Sequence, residues 1–363
     1  SDVCSSDLKV FIHSPYLGVQ TLFLIWITEN STKENFIKRA YKSWGQKIYR
    51  KNIESKKTIK ITLSTTSSYY LSLMKNNENR FLTYGIGSAS YEISSFDETL
   101  YSGNAENKIY TGDVASNGTY CLVTEDNGYL TTLYAYSKNN NRIYKYSFSE
   151  YYITSVAINK DGSGCVATGV SSDKGSAVTG VYVLDFSQEK PVSTYKISGD
   201  SVLDCKYLTS DTAVLVGSQA SYIVKKGEKN YKTVSYEDKT LSNYCFNTDT
   251  STYTMALSRS GDGRSVALIS YNSNGEAQYT INTEHKADSL SVYKGTVAIL
   301  DGNVVYGYNQ NGDLLYSTNS GTGSKKIVLA SDYTAYILSV NQIRFIDLDS
   351  VSSDDTAQTS KQE

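Results

Sequence analysis

Two kinds of hairpin alternate along most of this chain. The stretches LYAYSKNNNRIYKYSF, VYVLDFSQEKPVSTYKI, LISYNSNGEAQYTI and VYGYNQNGDLLYST each read as an apolar-aromatic strand, a polar turn and a second strand containing Tyr. Ahead of each lies another hairpin with a short apolar second strand: YYITSVAINKDGSGCVATGV, SVLDCKYLTSDTAVLVGS, TLSNYCFNTDTSTYTMALS and DSLSVYKGTVAILD. Two hairpins make one four-stranded unit, and the units recur at a period of roughly 35–50 residues. They begin near Lys108, Tyr152, Ser201, Thr240 and Asp288, with a partial unit over 79–105 and another over 322–350. Asn-Gly pairs at 274–275 and 311–312 supply the positive φ that a tight hairpin needs.

A four-stranded sheet of this size cannot bury both faces alone. Stacking such sheets in series buries the faces and leaves only short edges. The expected fold is therefore all-β: a β-propeller of four-stranded blades, seven or eight in the intact protein. The runs CVATGV, TAVLVG, YTMALS, TVAILD and YTAYILS suit strands buried on both faces. Composition agrees: 33 Tyr stand against 9 Phe and 2 Trp, and only 2 Pro are present, a strand-and-turn bias. The last unit offers three strands, KKIVLA, YTAYIL and QIRFIDL, before the chain turns polar at Ser350. Its fourth strand is expected from before residue 78.

The flanks differ from the repeats. Residues 1–8, SDVCSSDL, translate the end of a common sequencing-library adapter and are expected to be a disordered scar, which removes Cys4 from the chemistry. Residues 9–77 read as the remnant of a first blade or a linker. The apolar run YLGVQTLFLIWIT is too short to span a bilayer. The basic stretch after it reads as a solvated linker, ahead of a nucleic-acid or membrane-binding arm. The propeller is assigned to 78–350, and 351–363 to a disordered polar tail.

The segment YYITSVAINKDGSGCVATGVSSDKGSAVTGVYVLDF (151–186) resembles domain-of-unknown-function family 5711. ENRFLTYGIGSASYEISS (78–95), IYTGDVASNGTYCLVTED (109–126) and VLDCKYLTSDTAVLVG (202–217) support the resemblance, which covers about 78–350. It implies a bacterial propeller of the WD40/YVTN type that follows one amino-terminal transmembrane helix and lies outside the cytoplasm, anchored to the cell membrane. No such helix is present in this chain, and an adapter-derived start explains that by truncation. The resemblance carries no catalytic residues.

Chemical motifs are few. A net charge of −2 leaves no nucleic-acid footprint, so no nucleic-acid partner is expected. The two His, His13 and His285, sit in no recognisable motif. Cys121, Cys165, Cys205 and Cys245 form no CxxC or Cys-His pair and read as buried apolar strand residues. No metal or cofactor is expected. NSGTGSKK (319–326) lacks P-loop spacing and precedes a strand, so it reads as a connector between blades. NKDGSG (159–164) and GDGRS (261–265) read as tight turns.

One constellation stands out. Connectors between successive blades gather on one propeller face, and here they read SEYY, SGDS, YEDK and NTEH. They supply Glu150, Asp200, Glu237, Asp238 and Glu284, with Tyr151 and Tyr152 as aromatic anchors. Clustered carboxylates attract a basic partner, and Tyr is a favoured anchor. The binding set is therefore Glu150, Tyr151, Tyr152, Asp200, Asp238 and Glu284, with no catalytic residue. The reading is a non-enzymatic module that binds a protein or glycan at the bacterial cell surface. The alternative is a propeller enzyme, a quinoprotein-like dehydrogenase or a lactonase.

Overall fold

The computed structural model describes residues 59–60, 72–77, 80–85, 87–94, 99–259, 261–339 and 342–348. The expected scar at 1–8, the tail at 351–363 and most of 9–77 lie outside the described residues. Every regular element described is a strand, and no described helix is long and apolar enough to cross a membrane. The strands form seven four-stranded antiparallel sheets.

The chain divides into two compact units. Strand β1 (Ile59–Lys60) belongs to the second. The first unit holds four sheets, each in sequence order. They are β2 (Ser72–Asn77), β3 (Arg80–Gly85), β4 (Ser90–Ser94) and β5 (Thr99–Asn104); β6 (Ile109–Val114), β7 (Tyr120–Thr124), β8 (Thr131–Tyr136) and β9 (Arg142–Phe148); β10 (Tyr152–Ile158), β11 (Gly164–Asp173), β12 (Ser176–Asp185) and β13 (Ser193–Ser198); and β14 (Val202–Tyr207), β15 (Thr212–Gly217), β16 (Ala220–Lys225) and β17 (Lys232–Ser235). The unit expected as partial at 79–105 is thus a complete sheet, because β2 precedes it.

The second unit holds β18 (Thr240–Asn247), β19 (Thr252–Ser258), β20 (Val266–Asn272) and β21 (Ala277–Thr283); then β22 (Ser289–Tyr293), β23 (Thr296–Asp301), β24 (Val304–Tyr308) and β25 (Leu314–Asn319). Its last sheet contains β26 (Ser324–Ser331), β27 (Thr334–Ser339) and β28 (Gln342–Asp347). The fourth strand of that sheet is β1, which pairs Ile59 with Ile343 and Lys60 with Gln342. The missing strand therefore does come from before residue 78.

Burial follows position in the sheet. Strands β7 and β15 are buried along their whole length, whereas the outer strand β13 alternates. Within each unit a central strand that faces the next sheet in sequence packs its apolar side chains against it, as Ala213 and Leu215 of β15 do against Val181 and Val183 of β12. Burying one Val, Leu or Ile in this way contributes about 1.5–3 kcal/mol. Each core is shared by consecutive sheets. Cys121, Leu133 and Phe148 of one sheet pack with Ile153, Cys165 and Tyr182 of the next. All four repeat cysteines are free and buried.

The turns differ from the Asn-Gly expectation in one respect. Only the glycines, Gly275 (φ 69°) and Gly312 (φ 91°), take positive φ. The Gly275 amide donates to the Asn272 carbonyl, and the Asn272 amide donates to the Glu276 carbonyl. This is a type I turn followed by a left-handed residue, which gives a three-residue loop in place of a two-residue one. The side chain that fixes it is the earlier Asn. Asn272 Oδ1 accepts from the amides of Asn274 and Glu276, and Asn309 Oδ1 accepts from those of Asn311 and Asp313.

Two further regularities tie strands to their neighbours. The first strand of five sheets carries a register shift near its start: Ile109/Thr111, Ile153/Ser155, Val202/Asp204, Leu241/Asn243 and Ser324/Lys326. A bulge frees a backbone amide from the ladder. Thr hydroxyls of the preceding sheet take two of these amides, Thr131 accepting from Ile153 and Thr179 from Val202. In the second regularity, the fully buried Tyr316 of β25 lies over its cross-strand partner Gly307. A Cβ at Gly307 would come within 2.0 Å of the Tyr316 ring.

Candidate functional site

Register decides which loops share an end of a sheet. In the third sheet Tyr152 pairs with Val170, Val170 with Thr179, and Thr179 with Ile197. The start of the first strand therefore lies beside the end of the second, the start of the third and the end of the fourth. The connector leading into each sheet thus sits beside the loop joining its two central strands. The Thr131–Ile153 and Thr179–Val202 contacts bring these ends together from sheet to sheet in the first unit. Its loop end therefore carries 124–131, 148–152, 173–176, 198–202 and 217–220.

The most exposed large hydrophobic side chains on this end are Tyr129 and Tyr152, each 52 % exposed. Tyr152 points outward because it opens β10, whose next residue, Ile153, is buried. Tyr129 is held by its own loop. Asp126 Oδ1 accepts from the amides of Gly128 (2.8 Å) and Tyr129 (3.2 Å), and Oδ2 accepts from the Thr132 hydroxyl (2.9 Å). These bonds hold the Asp126 carboxyl below the usual aspartate range. Thr131, two residues beyond Tyr129, accepts from the amide of Ile153, the residue after Tyr152. The two tyrosines are thus fixed on neighbouring segments.

The direction at Asp126 gives a pH expectation. A depressed folded pKa means the clamp is fully present above the unfolded value near 3.8 and is lost as pH falls through the lower folded value. The Asp126 carboxyl resonance should therefore titrate below pH 3.8, with the Gly128 and Tyr129 amide shifts following it in NMR. A midpoint at or above that value would contradict the clamp.

The six residues expected to bind fare differently. Glu150 is exposed, and after burial its charge is the next influence raising the Tyr146 and Tyr182 phenols. Tyr151 is only half-exposed. Its ring packs where a Cβ on Gly180 would stand, 2.5 Å from that position, and edge-on to Tyr182. It is a wedge within its sheet, with Tyr152 as the outward residue.

Asp200 is a correction: it is 3 % exposed. Its carboxylate accepts from the amides of Ser201 (2.7 Å), Ser218 (2.8 Å), Gln219 (3.1 Å) and Ala220 (3.2 Å), and from the hydroxyls of Ser218 (2.5 Å) and Tyr222 (2.8 Å). The charge is consumed in closing the β15–β16 turn and leaves the docking surface. Asp238 and Glu284 are exposed and belong to the second unit. Glu284 accepts from the Ser265 hydroxyl, and neighbouring Glu237 pairs with Lys239 at 2.6 Å. Tyr129 stands outside the expected set, although Asp-Asn-Gly before an aromatic residue is a readable signal for a capped turn presenting it.

Among the described residues, no three His, Cys, Asp or Glu side chains group as metal ligands. Of the segment 319–326, expected as a connector, 320–323 lies between strands, since β25 ends at Asn319 and β26 begins at Ser324; the turns expected at 159–164 and 261–265 fall between strands, except Gly164, which opens β11.

The family model described as "Family of unknown function (DUF5711)" matches residues 64–348. The chain belongs to this family. Solved structures similar to this DUF5711 chain are propellers of the WD40 class. The C-terminal WD40 domain of Sif2 matches with TM-score 0.51 and 14 % identity, covering 81 % of this chain and 83 % of that one. Hsv2 of Kluyvelomyces marxianus matches with TM-score 0.51 and 10 % identity, over 77 % and 92 %. KlHsv2 with loop 6CD replaced by a Gly-Ser linker gives TM-score 0.53 and 12 % identity, over 78 % and 93 %. At these identities the likeness concerns the fold: this DUF5711 chain is a WD40-like β-propeller. No curated protein sequence matches it.

Proposed function

We propose that this chain is a non-enzymatic protein-interaction scaffold whose first unit docks a partner on its loop end. The carrying observation is the pair of exposed tyrosines, Tyr129 with its backbone amide held by Asp126 and Tyr152 on the neighbouring segment. A rigid aromatic side chain buries large area with little conformational entropy to lose, which is why such residues dominate binding energy. Exposed Glu150 precedes Tyr152 by two residues, so the complement on the partner is apolar with a basic side chain beside it. The WD40-like fold supports a protein ligand; a glycan is the competing ligand. We also place the intact protein outside the cytoplasm, anchored to the cell membrane, on the strength of the family resemblance.

Tyr129→Ala and Tyr152→Ala should each weaken a captured protein partner by roughly 30-fold or more, with an unchanged unfolding midpoint. The partner is to be captured with the full-length gene product in its own cells and measured by calorimetry. Tyr129→Cys on intact cells should react with a membrane-impermeant maleimide, since Cys121, Cys165, Cys205 and Cys245 are buried. Full affinity in both alanine variants removes the docking surface. A thiol that reacts only after lysis removes the extracytoplasmic placement, and capture of carbohydrate alone removes the protein ligand.

A further inference from the structure

The Gly-rich connector between β25 and β26 wraps a cation. Arg344 of β28 donates through Nη2 to the hydroxyls of Ser339 (2.6 Å) and Ser324 (3.0 Å) and to the Thr322 carbonyl (3.4 Å). All three acceptors are neutral, and all sit on one nitrogen. Nε is buried with no acceptor among the described residues, and no described carboxylate pairs with the guanidinium. Nη1 lies against Gly321, where a Cβ would come within 1.8 Å of it. Only a glycine admits the guanidinium at that distance from the backbone. Gly321 and Gly323 both take positive φ, 83° and 72°, and the Gly321 amide donates to Asn319 Oδ1 (2.7 Å), which fixes the connector against the guanidinium. Ser320 and Ser324, hydroxyl to hydroxyl at 2.9 Å, complete the polar wall.

A guanidinium has five donors in a fork matched to carboxylate and phosphate oxygens. Charged acceptors bond it about twice as strongly as neutral ones, and burying it with a donor unmatched is costly. Burial here draws the Arg344 pKa down, as expected for a cation without its counter-charge. We propose that Arg344 and the 319–324 connector form a receptor for one oxyanion, a carboxylate or phosphate group. This site belongs to the second unit and does not rest on the docking surface of the first.

The competing role is a peg that merely props the connector. Full-length chain labelled with 15N-arginine separates the two by side-chain Nε–H correlation spectra. Sodium phosphate and sodium acetate are titrated in turn, against sodium chloride at matched ionic strength. The expected result is one Nε resonance that shifts saturably, with the salt that saturates at lower concentration naming the oxyanion. Its disappearance in Arg344→Lys assigns it. Should that variant not fold, Ser339→Ala, which removes one acceptor and keeps the guanidinium, assigns it by a displaced resonance. No saturable shift in either salt, or all arginine resonances drifting together, overturns the proposal in favour of the peg.

Discussion

Gly307→Ala should lower the stability of the second unit by about 3 kcal/mol, the upper end of ordinary overpacking costs, visible as an earlier midpoint in urea. The sign is the informative part. Glycine weakens a strand interior and has no side chain to pack, so propensity alone predicts a small gain from alanine. The packing predicts the reverse, because the new methyl would stand 2.0 Å from the Tyr316 ring. Tyr316 cannot retreat easily. It is fully buried among Leu300, Val305, Ile327 and Leu348, at the boundary of two sheets. Combining the change with Tyr316→Leu should recover part of the loss, since residues in contact couple. A midpoint equal to or above that of the parent would show that the ring swings away freely.

Asp200→Ala should cost the first unit about 4 kcal/mol. The Gln219 and Ala220 turn amides and the Tyr222 hydroxyl would lose their acceptor, while the Ser218 amide keeps the Ser201 carbonyl; each orphaned buried donor is worth about 1–3 kcal/mol before relaxation and water recover part of it. Hydrogen exchange locates the damage: the amides of Gln219 and Ala220 should lose protection first. Asp200→Asn should be nearly as harmful, because its NH2 group would point at donors. Parent-like melting in both variants would mean that solvent satisfies the turn unaided.

These two residues also mark where local pattern stops being informative. The repeat of strands, the pairing of hairpins and the burial of CVATGV and TAVLVG follow from local hydrophobic pattern, and the seven sheets agree with it. Asp200 reads like any acid in a Ser-Gly-Asp-Ser turn. Its burial depends on Gly217 in the next hairpin, where a Cβ would lie 2.3 Å from the Asp200 carboxylate; that is a relation between segments. The bulges at Thr154 and Leu203 likewise leave no local signature, because an extra residue only shifts the alternation. The site is partly legible. Glu150 and Tyr152 follow from the connectors between sheets, whereas Tyr129 lies in the loop between two central strands, which joins them at the same end only through the register. The resemblance to family 5711 stands on strand and turn patterns, and the family match over 64–348 bears it out.

The pairing of β1 with β28 sets an order of events for the growing chain. It joins residue 59 to residue 343, and all four sheets of the first unit are encoded between them. Chain closure over such a span costs conformational entropy that local hairpins do not incur, and topologies rich in distant contacts fold slowly. During synthesis the first unit's sheets can form one after another as their hairpins emerge. Strand β1, made before any of them, has no partner until residue 343 is released. The second unit therefore completes last, with the earliest of the described strands waiting longest.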